Sequence, residues 1–229
     1  MDTLQNSLQG VKSRIVAAAA SAGRDPRDIL LLAVSKTFAA DRIRTAFAAG
    51  QTHFGENYVQ EAIEKMAMLT DLAITWHFIG PIQSNKTRLI AERFTWVHAI
   101  DRSKIAERLS SQRPASLPAL QACIQVNTSG EASKSGCAPD AVVSLAKSIA
   151  AMPGLRLRGL MTVPEPTSDV ALQRSRFESL AALRIQCVAA GVAMDTLSMG
   201  MSLDLEQAIA AGATIVRIGT AIFGERRAG

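Results

Sequence analysis

Residues 196–224 read TLSMGMSLDLEQAIAAGATIVRIGTAIFG. Two short runs in this stretch, TLSMG (196–200) and TIVRIG (214–219), have the apolar and β-branched make-up of buried strands, and both end on glycine. Between them, LDLEQAIAAG places Leu205, Ala208 and Ile209 three and four positions apart and closes on Gly212, the pattern of a short amphipathic helix. A strand, a helix and a second strand in so short a span make a βαβ unit, which joins parallel strands by a right-handed crossover.

The same alternation runs through the rest of the chain. Strand-like runs occur at ILLLAVS (29–35), THFG (52–55), ITWHFIG (74–80), FTWVHAI (94–100), LQACIQVN (120–127) and LRLRGLMTV (155–163), which with the first two makes eight. Helical spacing separates them, as in AADRIRTAFAAG (39–50), YVQEAIEKMAMLT (58–70), SKIAERLSSQ (103–112), DAVVSLAKSIAAM (140–152) and SRFESLAALRIQCVAAG (175–191). Eight such units in 229 residues fit one (β/α)8 barrel of the TIM type, spanning 1–229 as a single domain, more economically than an open sheet. Leu4, Leu8, Val11, Ile15, Ala19 and Ala22 form one further stripe ending before Gly23, which predicts an extra N-terminal helix.

Composition narrows the function classes. With 48% hydrophobic and 20% charged residues the chain is an ordinary globular one, and no apolar run approaches the roughly 20 residues that span a bilayer. IVAAAASAG after Lys12 and Arg14 imitates a signal peptide, but its apolar residues belong to the helical stripe, so a cytoplasmic protein is expected. Cys123, Cys137 and Cys187 are odd in number and lack a CxxC pair, which argues against a disulfide framework or a zinc site and for reduced, inert thiols. The net charge of +5 is spread over scattered lysines and arginines, so a phosphorylated small molecule suits it and nucleic acid is not expected. HExxH, GxSxG and Walker patterns are absent, and no metal is expected. His53, His77 and His98 lie within apolar runs and read as structural; Trp76 and Trp96 read as packing between barrel and helices.

In a barrel, residues that follow the strands gather on the rim that carries the chemistry. Lys36 follows strand one, Glu56 and Asn57 follow strand two, Pro81 to Asn85 strand three, and Asn127 to Ser129 strand five. The loops after strands seven and eight are frequent phosphate sites in such barrels, and Ser198, Gly200, Gly219 and Thr220 fall there. A rim lysine facing a phosphate site suggests a phosphorylated aldehyde or ketone held as a Schiff base, which also leaves open a lysine aldolase acting on sugar phosphates. Arg217, alternating with apolar neighbours, would ordinarily pair with a carboxylate such as Glu56.

The motifs AVSKT, HFGENYVQEA, WHFIGPIQSNKTR, WVHAIDRSKIAERL, QVNTSGEASKSG, LRGLMTVPEP and the opening stretch together resemble the pyridoxal phosphate homeostasis protein family, also described as the YggS/PROSC family, from about Arg24 to Gly224. That resemblance implies a barrel similar to the amino-terminal domain of bacterial alanine racemase, with pyridoxal 5'-phosphate (PLP) on Lys36 as a Schiff base. It implies Ser198, Gly200, Gly219 and Thr220 around the phosphate, Arg217 near the pyridine nitrogen and Asn57 beside the cofactor. Phe38-Ala39 stands where the family usually has Lys-Pro, and Leu203 where an acidic or small residue is common; both bear on loop detail.

The alternative within this resemblance is a PLP-dependent amino-acid racemase. The resemblance implies that racemisation takes a second base, a tyrosine from an additional domain, whereas this chain has one tyrosine, Tyr58, and ends at Gly229 soon after strand eight. An arginine at the ring nitrogen also favours its unprotonated form and weakens the electron sink. The expectation is therefore no catalytic residue and a monomeric protein of vitamin B6 homeostasis that buffers PLP or delivers it, with apo forms of PLP-dependent enzymes as recipients.

Overall fold

The computed structural model describes residues 3–130 and 135–225; residues 131–134 of the QVNTSGEASKSG motif lie outside that range. Eight parallel strands close into a barrel in chain order. They are β1 (Leu30–Val34), β2 (His53–Glu56), β3 (Thr75–Phe78), β4 (Trp96–Ile100), β5 (Leu120–Gln125), β6 (Leu155–Met161), β7 (Thr196–Ser198) and β8 (Ile215–Ile218). Closure is made by β8 against β1, from Leu30 opposite Ile215 to Ala33 opposite Ile218. Every strand predicted from the sequence is present.

Helices alternate with the strands: α2 (Ala40–Ala48), α3 (Val59–Met68), α4 (Thr87–Arg93), α5 (Ser103–Gln112), α6 (Val142–Ala150), α7 (Val170–Ala189), α8 (Leu205–Ala210) and α9 (Thr220–Phe223). The extra helix, α1 (Thr3–Ser21), lies over α8 and α9 with Leu4, Leu8, Val11, Ile15 and Ala19 buried, and Arg14 is tied to Glu206 by Nε–Oε1 at 3.0 Å. Two details differ from the periodicity. Helix α4 has seven residues, too few for a period to show. Helix α7 starts at Val170 and not near Ser175, because Asp169 caps it by accepting from the N–H groups of Ala171 and Leu172 at 2.9 and 3.1 Å, while Val170 and Leu172 stay exposed and blur the pattern.

The main hydrophobic layer sits between barrel and helices, where Phe54, Phe78, Phe94, Ile43, Ile90, Ile105 and Phe177 are fully buried. Each such side chain stabilises the fold by about 1.5–3 kcal/mol relative to leaving it in water. The barrel interior is different. In place of branched aliphatics alone, it receives His53, His77, His98, Ser198 and Arg217. Trp96 corrects the sequence reading: its ring stacks on His77 at 5.3 Å and contacts His98 at 5.7 Å, so it belongs to that interior set, whereas Trp76 packs on Phe54. The cysteines are free, with burial pushing the Cys123 thiol up to about 12 and Cys137 up to about 11, which keeps both protonated.

Candidate functional site

Lys36 stands in a tight turn directly after β1. The ladder continues one residue past the strand, Ser35 N–H donating to Gly55 O at 3.0 Å, and the chain then folds back with Phe38 N–H on Ser35 O at 3.1 Å. Thr37 takes φ of 69°, which no other non-glycine residue among those described adopts. A β-branched residue in that region costs of order 1–3 kcal/mol, so its surroundings must hold it there.

Helix α3 supplies the hold. Its Glu61 and Lys65, one turn apart, point at the turn: Glu61 Oε1 accepts from Thr37 N–H at 2.5 Å, and Lys65 Nζ donates to Ser35 O at 2.8 Å. Glu56, at the end of β2, completes the cluster by accepting from Ser35 Oγ at 2.6 Å and from Lys65 Nζ at 2.8 Å. Burial raises the Glu56 carboxyl above its ordinary pKa, and the adjacent Lys65 ammonium opposes that rise. The backbone is thus fixed on both sides of Lys36 by groups behind it, and the Lys36 side chain lines a cavity in front.

That cavity, of about 360 Å³, lies at the carboxyl ends of the strands. It brings together five of the residues singled out from the sequence, Lys36, Asn57, Arg217, Gly219 and Thr220. Asn57 sits close under the β3–α4 loop because residue 80 is glycine; a Cβ there would come within 2.3 Å of the Asn57 carbonyl oxygen. The Asn57 Oδ1 atom is buried without a hydrogen-bond partner. An amide oxygen so placed can be met only by a donor.

Ser198 and Gly200 are not on the cavity wall. Ser198 is fully buried behind Arg217, with its hydroxyl oxygen on Arg217 Nη1 at 2.9 Å and on His98 Nδ1 at 2.8 Å. Gly200, at φ of 93°, turns the chain toward α8, and a Cβ there would lie 2.5 Å from Ala208 Cβ. The hydroxyl that the SMGMS loop presents to the cavity is instead Ser202. Sequence reasoning also missed Gln173 and Arg176 of α7, which close the far wall with the Val163–Thr167 loop; Arg176 Nη1 donates to Glu165 O at 2.7 Å. Their only signal was helical periodicity, which hides a polar residue turned toward a rim.

Arg217, on β8, is almost wholly buried and makes no ion pair with a carboxylate among the described residues. Its partners are neutral, Ser198 Oγ and, from Nη2 at 2.7 Å, Thr162 O. Glu56, the carboxylate that the sequence offered it, is committed to Lys65. Burial lowers the guanidinium to about 10, an effect that Asp204 opposes. The cavity therefore contains a cation whose charge the chain leaves for something else to answer.

A family model described as alanine racemase, N-terminal domain, matches residues 6–227. The pyridoxal phosphate homeostasis protein of Pseudomonas aeruginosa is 58% identical over 226 residues, covering 99% of this chain and 97% of that one. The chain belongs to the pyridoxal phosphate homeostasis protein family. The Escherichia coli member is 51% identical over 229 residues, 99% of this chain and 98% of its own. Among solved structures, PipY of Synechococcus elongatus with PLP bound superposes at a TM-score of 0.81 with 37% identity, covering 92% of this chain and all of that one. Alanine racemase from Corynebacterium glutamicum superposes at 0.70 with 17% identity over 97% of this chain and 63% of its own, which shows a shared barrel fold.

Proposed function

We propose that this protein binds PLP through Lys36 and holds it for delivery to other proteins, without turning over amino acids. The observation that carries the reading is the convergence on one cavity of a rim lysine and a buried arginine lacking any carboxylate partner among the described residues. PLP carries an aldehyde, a phosphate dianion and a ring nitrogen, and the cavity offers a counterpart to each. Lys36 supplies the amine. Gly219, Thr220 and Ser202 supply backbone N–H groups and hydroxyls for the phosphate, and Asn57 lines the same cavity beside them. Arg217 supplies a donor for the ring nitrogen.

Bound PLP would supply an electron sink, strongest when its ring nitrogen is protonated. Arg217 is a donor only, so it presents a proton to that nitrogen and favours its acceptor form. A racemase would also need an acid or base facing Lys36. No tyrosine, histidine or cysteine lines the cavity among the described residues, and Tyr58 is exposed and outside it. Of the two carboxylates on the wall, Asp204 accepts from Met201 N–H at 2.6 Å and Glu165 is paired with Arg176 Nη2 at 3.5 Å. This supports storage and transfer over amino-acid chemistry, with apo forms of PLP-dependent enzymes as recipients. No helix among the described residues is long and apolar enough to cross a membrane, and the buried free thiols suit a reducing compartment; we propose a cytoplasmic monomer.

The test is direct. The protein incubated with PLP should turn yellow, lose that colour on borohydride reduction, and carry the pyridoxyl group on Lys36 in a peptide map. It should then reactivate an apo-enzyme while showing no racemase, transaminase or decarboxylase turnover above free PLP. Labelling of another lysine with Lys36 free, or robust racemisation of any amino acid, would overturn the proposal.

A further inference from the structure

Behind Arg217 the barrel interior holds a row of side chains that the binding reading does not use. Ser198 Oγ meets His98 Nδ1 at 2.8 Å, His98 Nε2 meets His77 Nδ1 at 2.9 Å, and His77 Nε2 meets His53 Nδ1 at 2.9 Å. His77 and His98 are fully buried, and His53 is half-buried beside Arg27, Gln51 and Thr52 in a depression at the opposite end of the barrel. The stagger of the strands builds the row. His77 pairs in register with Gly55, two residues above His53, and His98 stands two residues above Trp96, the partner of His77. Each histidine is one pleat higher than the last, so the three climb from the barrel floor toward the cavity.

Hydrogen-bond valence sets the direction of this row. Arg217 can only donate, so Ser198 Oγ accepts from it and retains one proton and one lone pair. If His98 Nδ1 carried a proton, it would take that lone pair, and the buried serine proton would be left without an acceptor among the described residues, at a cost of about 1–3 kcal/mol. If Ser198 donates to His98 Nδ1, the proton of His98 lies on Nε2 and points to His77 Nδ1. The proton of His77 then points to His53 Nδ1, and the last donor, His53 Nε2–H, emerges at the half-buried end where water can accept it. No member is stranded.

We infer that His98, backed by His77 and His53, is a positioning residue for Arg217: the row is a one-directional hydrogen-bond wire of three neutral Nε2–H imidazoles that fixes the guanidinium in the cavity wall. Neutrality matters because a charged imidazole could not accept from Ser198, and would add a second cation 2.8 Å from the hydroxyl that Arg217 already uses. No group of three or more His, Cys, Asp or Glu among the described residues is arranged to hold a metal, so the histidines have each other as partners. The importance of the orientation of Arg217 rests on the proposed PLP reading; the direction of the wire does not.

The first test therefore uses the unliganded protein. Long-range proton–nitrogen correlation on the 15N-labelled chain near neutral pH should find all three rings neutral with the proton on Nε2, and a proton on Nδ1 of His77 or His98 would overturn the wire. The second test uses PLP as probe and exploits glutamine, whose Oε1 and Nε2–H reproduce the acceptor and donor of the assigned tautomer. His98→Gln should bind PLP within about threefold of the parent, whereas His98→Leu should bind about tenfold more weakly and shift the visible band of bound PLP, while both unfold cooperatively. Equal affinities and spectra for the two variants would mean that the row only fills space. Failure of the parent to bind PLP would remove the functional proposal and leave the tautomer result standing.

Discussion

Lys65 and Arg217 are both almost wholly buried near the mouth of the barrel, and the chain answers their charges in opposite ways. Lys65 meets two carboxylates, Glu56 at 2.8 Å and Glu61 at 2.5 Å, and spends its remaining proton on the backbone of Ser35. Arg217 meets a hydroxyl and a carbonyl. The first wall is internally neutralised and holds a strained turn; the second keeps a buried cation on neutral partners at the edge of the cavity. A buried charge without an opposite partner is costly to a fold, and the binding proposal for Arg217 rests on that cost being met by a ligand.

The largest expected effect separates these two cations. Lys65→Met removes the partner of a buried carboxylate, a change that typically costs about 3–5 kcal/mol, and urea unfolding of the unliganded protein should register it. Arg217→Met strands the Thr162 carbonyl and removes one donor from Ser198 Oγ, which keeps its bond to His98, while relieving an uncompensated charge, so its loss in the same experiment should stay under about 2 kcal/mol. With PLP present the order should reverse, Arg217→Met weakening binding by about ten- to hundredfold through loss of a charge-assisted bond. Equal losses of unliganded stability would break the comparison.

Much of this contrast was invisible in the sequence, for reasons that differ by residue. The strands were legible because each apolar run is bounded by polar residues or glycine, and Lys36 stood out as the cation that ends the first run. Glu61 and Lys65 looked like the solvated face of an amphipathic helix, since a pair at i and i+4 reads the same whether water or a buried turn lies opposite. Arg217 was legible as an inward strand residue, but its lack of a carboxylate depends on Lys65 having claimed Glu56, which is a tertiary fact. Ser198 was expected around the phosphate, and as the last residue of β7 it follows the strand's pleat, which turns its hydroxyl inward onto His98 and Arg217. The histidines sit at 53, 77 and 98, one per successive strand, and only the barrel stagger turns that spacing into contact.

Acid should act on the two walls with opposite sign. Burial holds His98 at about 3, and His77 and His53 also lie below the ordinary histidine value near 6.5. The unfolded chain therefore binds more protons than the folded one below that value, and stability falls as pH drops from about 6.5 toward 3, by up to about 1.4 kcal/mol per pH unit for each histidine held neutral. Glu56, with its pKa raised, runs the other way: its contribution is present in acid and is lost as pH rises through the folded value. His77 and His98 are fully buried and carry the histidine slope, with the half-buried His53 adding less. The urea midpoint should drop between pH 7 and pH 5, and His98→Gln should flatten the fall; an unchanged slope in that variant would mean His98 is not the neutral group assigned here.

The smallest effect probes the neutralised wall alone. Thr37 keeps its left-handed backbone because Glu61 accepts from its N–H, whereas glycine adopts that region without strain. Glu61→Gln weakens a charge-assisted bond and should cost about 0.5–1.5 kcal/mol in holding the turn, slowing capture of PLP by Lys36 about two- to tenfold in stopped-flow absorbance. If the role of Glu61 is to hold that turn, adding Thr37→Gly should recover most of the rate, since the turn then forms unaided. The double variant would be faster than the sum of the single changes predicts, which is the signature of two residues acting on one conformation. Additive losses would assign Glu61 an electrostatic task on the lysine and leave the strained turn as a by-product of packing.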